Sequence, residues 1–240
     1  RVSAMIREWR RIGKIVGVLA VDPSSRPELG GGALLGDRIR IKNVSYDEGL
    51  FIRSLANRNQ LGGVATEVWP MSWLMLASFD IVVIETVGVG QTEIDIAELA
   101  DTVCYVAQPA SGDAIQYLKS GIIEIPDVFA VNKADLGASA QKTAAEIGRS
   151  APRQDRREAW DYPVCLVSAA MNTGIHPLLG HIDRHRRFLT EAGLLDTLRP
   201  SSLSLGVAPA QGRIWHLWPG TCWRHGRCQR APGATSHPAF

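Results

Sequence analysis

No stretch of the 240 residues approaches the roughly 18 consecutive apolar residues a membrane-spanning helix needs. No basic segment followed by an apolar core marks a secretion signal either. A surplus of charge is also absent: 26 Lys and Arg stand against 24 Asp and Glu, a net charge of +2. So balanced a chain has no electrostatic footprint for nucleic acid or an anionic membrane surface, and neither is expected as a partner. The cytoplasm is the expected compartment. Cysteine is scarce, with four residues at 104, 165, 222 and 228, and the first two lie inside apolar runs where a thiol acts as a small hydrophobe. A disulfide framework is therefore not expected. The sequence opens on Arg1 rather than methionine, so the expectation is a piece of a longer polypeptide.

What the chain does have is enough apolar residues, 45%, to bury a sizeable core in one large or two small domains. Val2, Met5, Ile6 and Trp9 recur at helical spacing before Gly13, which predicts an amphipathic helix over residues 1 to 12. Valine-rich apolar runs at Ile15–Val21, Ile81–Ile84, Val103–Ala107, Val128–Val131 and Val164–Val167 read as strands buried on both faces. Segments near 65–78, 113–124, 138–149 and 175–192 are long enough for helices between them. Strands alternating with helices give the expected class: α/β, a mostly parallel sheet covered by helices on both faces. Residues 22–37, DPSSRPELGGGALLGD, are too rich in Gly, Pro and Ser for either element and read as a long functional loop.

In such folds ligand-binding residues gather at the carboxyl ends of the strands. One of these ends carries Asn132, Lys133, Ala134 and Asp135, the guanine-reading tetrad of P-loop GTPases. A single carboxylate, Asp135, can accept two parallel hydrogen bonds from the N1 and N2 donors of guanine, which adenine does not offer. Asn132 and Lys133 would support the loop and the ring. After the next strand, Ser168, Ala169 and Ala170 precede Thr173 and Gly174, a pattern that in GTPases brings a backbone amide to the guanine O6. Two further strand ends supply Asp22 and, across the loop, Asp37, then Glu85 with Gly88 and Gln91. Asp22, Asp37 and Glu85 are hard oxygen donors suited to Mg²⁺. Gly88, without a Cβ, would let a backbone amide approach the γ-phosphate.

The motifs VLAVDPSS (18–25), LLGD (34–37), LGGVA (61–65), ETVGVGQTE (85–93), DTV (101–103), GIIEIPDVFAVNKAD (121–135) and VSAAMNTGI (167–175) resemble the methylmalonyl-CoA mutase-associated GTPases, the MeaB, ArgK and MMAA family. The resemblance covers residues 16 to about 198. It implies a P-loop NTPase of the SIMIBI class that binds GTP or GDP with Mg²⁺ and acts as a chaperone for a cobalamin-dependent mutase, as a homodimer. It also implies that Asp22, Asp37 and Glu85 hold or orient Mg²⁺, that Glu85, Gly88 and Gln91 lie at the reacting end of the nucleotide with Gln91 in a switch segment, and that Asn132, Lys133, Asp135, Ser168, Ala169 and Ala170 hold the base.

Three features depart from that pattern. The 240 residues contain no Gly-rich loop ending in Lys and Ser or Thr, so residues 1–198 are expected to be a GTPase domain lacking its first strand and phosphate loop, with core surface exposed where an internal strand is missing. Weak or absent hydrolysis is expected to follow. Arg38 replaces a lysine after Asp37, and the Asp22–Asp37 segment is two residues longer. Residues 199–240 hold five arginines, no lysine or carboxylate, three of the seven tryptophans and two of the four cysteines. That composition reads as a shifted reading frame without regular structure or a dimerisation arm. Two rival readings stand beside the main one: a nickel-insertion GTPase, and an inactive, degraded gene product. Among histidines and cysteines, His181 and His185 read as a solvated helix face, and Cys222, His225 and Cys228 lack a clear fourth ligand for zinc.

Overall fold

The computed structural model describes residues 2–23, 47–57, 68–86, 99–109, 122–151, 160–195 and 213–219, with the side chains of Asp22, Pro23, Ala56, Asn57 and 213–219 excepted. Helix α1 (Val2–Arg11) forms where the amphipathic pattern predicts it, and its stripe of Val2, Met5, Ile6 and Trp9 is buried. Strand β1 (Val16–Pro23) follows and runs two residues into the segment read as loop, so Asp22 and Pro23 end a strand; residues 24–37 lie outside the described residues. Strand β2 (Leu50–Asn57) has no counterpart among the predicted strands. Among the described residues it pairs on one side, with β1, and it alternates half-buried and exposed residues as far as Ser54, with Phe51 exposed, so it lacks the continuous apolar run of an interior strand.

Helix α2 (Val68–Leu76), β3 (Ile81–Thr86), β4 (Thr102–Ala107), β5 (Val128–Val131), α3 (Ala138–Ser150), β6 (Val164–Leu166) and α4 (Ile175–Glu191) occupy the positions read from the sequence. Of the helix expected at 113–124, the described part is a single 3₁₀ turn, Ile122–Glu124. Every described strand pairing is parallel, in the order β2-β1-β3-β7-β4-β5-β6. Helices α1 and α4 cover one face, where Met5, Ile6 and Trp9 meet Val18, Val83, Val106, Leu178 and Ile182. Helix α2 covers the other face over β1 and β3, packing Val68, Met75 and Leu76 on Leu19, Val82 and Ile84. Beside it, α3 lays Ala140 and Ile147 on Tyr105 and Phe129. The fold class is thus the expected one, with helices on both faces of a parallel sheet.

Close approach of α2 depends on Gly17 in β1. A Cβ there would stand 2.3 Å from Met75 Cε and 3.1 Å from the Phe79 ring, so a larger residue would require the Met75 side chain to move and the Phe79 ring to give way.

The principal correction concerns the tail. Residues 199–240 are read from composition as lacking regular structure, yet Arg213–Pro219 form β7 at the centre of the sheet. It pairs with β3 through Ile81↔Arg213 to Glu85↔Leu217 and with β4 through Thr102↔Trp215 to Val106↔Pro219. The physical reason is local: Ile214, Trp215, Leu217 and Trp218 form a run of strong strand formers, and the inner edges of β3 and β4 offer it a full set of backbone partners. Pro219 falls at the last paired position, where a missing N–H costs the ladder least. The open core expected from a missing internal strand is closed by this segment.

Candidate functional site

The site builds from the carboxyl ends of β5 and β6. Where β5 stops, the backbone is caught from both sides: Asn132 N donates to Ala107 O at 2.9 Å, and Val167 N donates to Val131 O at 2.9 Å. Lys133 then turns the chain with φ 61° and ψ 43°, a left-handed conformation that side chains with a Cβ enter only at a cost. That turn sends Ala134 N back to Val167 O at 2.9 Å and starts a 3₁₀ turn, Ala134–Leu136, which presents Asp135 to solvent.

The loop after β6 closes on the first. The Asn132 carboxamide is buried, 7% exposed, and its Oδ1 accepts the Ala169 amide at 3.1 Å. The Ser168 hydroxyl, 1% exposed, donates to Asp135 Oδ1 at 2.5 Å and accepts from Met171 N at 3.2 Å. Ser168 and Thr173 exchange backbone hydrogen bonds of 2.9 and 3.1 Å, which ties the loop into a small closed turn. Gly174 ends it at φ 73°, and a Cβ there would lie 2.2 Å from Leu166 O, so this position requires glycine. Helix α4 starts at the next residue.

Two separately read motifs are therefore one object. Asn132, Asp135, Ser168 and Ala169 are bonded to one another, while the exposed faces of Lys133, Asp135 and Ala170 point to solvent. The arrangement presents one carboxylate with a fixed oxygen and a second, Oδ2, engaged by no described group, as needed to accept a pair of parallel N–H donors. The bracing by Ala107 and Val167 was not read from the sequence, because backbone carbonyls leave no residue-type signal.

At the other candidate strand ends the structure is more selective. Parallel register sets Glu85 opposite Ala20, two residues before Asp22, so both carboxylate residues come from the carboxyl ends of neighbouring strands. Glu85 is half-buried. Asp37, Gly88 and Gln91 lie outside the described residues.

A second polar cluster, at the opposite edge of the same strands, corrects the reading of His185. It is not on a solvated face but 4% exposed, its Nδ1 2.9 Å from Thr102 Oγ1 and its Nε2 3.4 Å from Asp127 Oδ1. Its place in the series Leu178, Ile182, His185, Leu189 puts it on the buried stripe of α4, a 3.6-residue period that outweighs its polarity. His181 is partly buried beside it in sequence. Asp127 Oδ2 accepts the Val103 amide at 2.7 Å and its carbonyl accepts Trp160 Nε1 at 2.8 Å. Burial pushes the Asp127 carboxyl up to about 7 against the pull of that amide, and burial pushes His185 down to about 4.

A family model described as "Methylmalonyl Co-A mutase-associated GTPase MeaB" matches residues 1–205. The chain belongs to the MeaB GTPase family. A Pyrococcus abyssi protein named as a GTPase is 44% identical over 201 residues, which cover 82% of this chain and 61% of that one. The crystal structure of an LAO/AO transport system kinase superposes with a TM-score of 0.60 at 26% identity, over 85% of this chain and 59% of its own. HypB from Helicobacter pylori, solved with nickel, superposes at a TM-score of 0.50 and 12% identity over 78% of this chain and 81% of its own, a likeness of fold alone. This MeaB-family chain spans about three fifths of the length of such relatives. Among the described residues no group of three His, Cys, Asp or Glu could hold a metal ion.

Proposed function

We propose that this chain carries the guanine-reading half of a MeaB-type GTPase whose whole protein binds GTP with Mg²⁺, hydrolyses it, and serves as a cytoplasmic chaperone to a cobalamin-dependent methylmalonyl-CoA mutase. The observation that carries the base assignment is the Ser168–Asp135 clasp: an exposed carboxylate held in place by a buried hydroxyl beyond the carboxyl end of an interior strand. In this reading Asp135 accepts the N1 and N2 donors of guanine, the Ala169–Ala170 backbone faces O6, and Lys133 lies along the ring. Discrimination against adenine follows, because adenine would leave the carboxylate unpaired, a difference on the order of 10⁴-fold.

Mg²⁺ fits the carboxylates at the other strand ends. Asp22 and Glu85 are hard oxygen donors brought to adjacent strand ends by the β1–β3 register, and Asp37 would join them from the intervening segment. The ion would neutralise phosphate charge when bound. Gly88 and Gln91 would face the γ-phosphate. The 240 residues hold no Gly-rich loop ending in Lys and Ser or Thr, whose charge-assisted hydrogen bonds each contribute about 1.5 to 3 kcal/mol. Hydrolysis by these residues alone should accordingly be slow, and binding should rest mainly on the base.

Calorimetry with GDP and ADP tests the reading. Binding of GDP and none of ADP, with GDP binding abolished in Asp135→Ala, is the expected result; equal affinity for the two nucleotides would remove the base assignment. Association with a methylmalonyl-CoA mutase is a separate test, by co-sedimentation of the two proteins with and without GTP.

A further inference from the structure

The later turns of α4 carry Arg184, Arg187, Phe188 and Glu191 at positions i, i+3, i+4 and i+7, so the four form one stripe of the helix beside its buried one. That stripe meets Trp160 and Asp161, which precede β6. Between them lies an open cleft of about 460 Å³, inside the range of roughly 300 to 1,000 Å³ common to small-ligand sites. Because Trp160 Nε1 donates to the carbonyl of Asp127, the residue before β5, the cleft sits at the amino ends of the strands. The guanine-reading loops lie at the other end. Part of the lining is already committed: the buried Trp160 ring stands 4.6 Å from the His185 ring and 5.8 Å from the Phe188 ring. Arg184 lies over the indole at 5.0 Å and its Nη2 donates to both oxygens of Asp161 at 2.8 and 3.0 Å, so these two charges offset each other. The rest is open. Arg187 and Glu191 are exposed and pair with no described group, and they flank the half-buried Phe188. The order Arg then Glu along a helix is the weaker one for a pair within it, which leaves both heads available.

We propose that this cleft binds a small zwitterion, an α-amino acid with an apolar or aromatic side chain. Its carboxylate pairs with Arg187, its ammonium pairs with Glu191, and its side chain lies against Phe188. Charge decides the class: a simple organic anion gains Arg187 but is repelled by Glu191, and an organic cation meets the reverse balance. A ligand bearing both signs satisfies both. Spacing decides the size, because Cβ atoms one turn apart stand about 5 to 6 Å from each other, so two long side chains converge on charges borne by a single carbon. The pinned Arg184 and Trp160 supply a wall that needs no rearrangement to receive it.

Three compounds of similar shape test this by ligand-observed NMR on the intact chain: L-phenylalanine, 3-phenylpropanoate, which lacks the ammonium, and 2-phenylethylamine, which lacks the carboxylate. Phenylalanine should bind with a Kd of about 1 mM, and each of the other two about tenfold more weakly. Equal binding of all three, or no binding of phenylalanine at about 20 mM, would overturn the proposal. Two exposed substitutions then locate the site. Arg187→Ala should weaken phenylalanine about tenfold and leave the melting temperature unchanged, since its head pairs with no described group. Glu191→Ala should erase the preference for phenylalanine over phenylpropanoate. A preference that survives either change would put the ligand elsewhere and overturn the assignment to this cleft. GDP affinity is measured separately, so failure here leaves the base reading untouched.

Discussion

Strands β4 and β5 carry a polar cluster at each end, and the two clusters are built on opposite plans. At the carboxyl end, Asn132, Ser168 and Ala169 bond inward while Asp135 and Lys133 stay exposed. At the amino end, Thr102 and His185 are almost wholly buried, and Asp127 satisfies an amide, an indole and the imidazole among them. The first cluster keeps acceptor capacity for something outside the protein. The second uses it up. Buried polar groups that satisfy one another specify packing, whereas a braced carboxylate left open specifies a ligand. Substitutions that act on binding at one end and on stability at the other would establish the difference.

The largest effect should come from Asp135→Ala. Guanine-nucleotide binding should fall by roughly 10³- to 10⁴-fold, equivalent to about 4 to 5.5 kcal/mol. The melting temperature should change by no more than a few degrees, because the side chain is exposed and only one hydrogen bond from Ser168 is lost. A large loss of stability with unchanged binding would assign the clasp a structural role only.

Next in size is the pH response of the amino-end cluster. His185, held down to about 4 in the fold, is neutral where the unfolded imidazole takes a proton below about 6.5, so alone it makes stability fall as pH falls from 6.5 towards 4. Asp127, raised to about 7, keeps its proton where the unfolded carboxyl has lost it, so alone it makes stability fall as pH rises from about 4 to 7. In the intact protein the two slopes oppose over the shared window and nearly cancel. Asp127→Asn should expose the histidine slope and His185→Phe the opposite slope, each up to about 3 to 4 kcal/mol across the window. Denaturant midpoints from pH 4 to 7.5 measure this. Slopes of the same sign in both variants would contradict it.

Ser168→Ala should give an intermediate effect on both quantities. It removes the hydroxyl that donates to Asp135 and accepts from the amide of exposed Met171, which water can then take up, so the stability cost should be about 1 kcal/mol. Affinity for GDP should drop by about tenfold as Asp135 loses its brace. Calorimetry and thermal melting on the same sample separate the two parts.

Much of this was legible from residues. The apolar runs ending in Ile84, Ala107 and Val131 identified three interior strands because a strand buried on both faces has few polar positions to confuse it. NKAD and SAA marked the two loops of the candidate site, which the structure brings together. Strand β2 was not legible, because its single paired edge permits Arg53 and Phe51 to face solvent and blurs the period. The buried role of His185 is masked by its polarity, although it falls on the apolar stripe of α4. Strand β7 was hidden by the composition of the residues around it, and no local pattern can say which gap in a sheet a late strand will enter. The clasp between Asp135 and Ser168 joins residues 33 apart, a contact that only the closed sheet creates.

The smallest expected effect, at Lys133, has a sign that separates the two plans. A non-glycine residue at φ 61° and ψ 43° costs about 1 to 2 kcal/mol relative to an ordinary conformation. Lys133→Gly removes that cost but adds about 0.5 to 1 kcal/mol of unfolded-chain entropy, so the fold should gain a few tenths to about 1 kcal/mol. If Lys133 were retained for stability, the same change would destabilise. If its exposed stem lies along a bound base, affinity for GDP should fall while stability rises. Strain kept at an exposed position makes sense only where the residue answers to something other than folding. A variant that is both more stable and an unchanged binder would show that the left-handed turn, and not the lysine on it, is what the site requires.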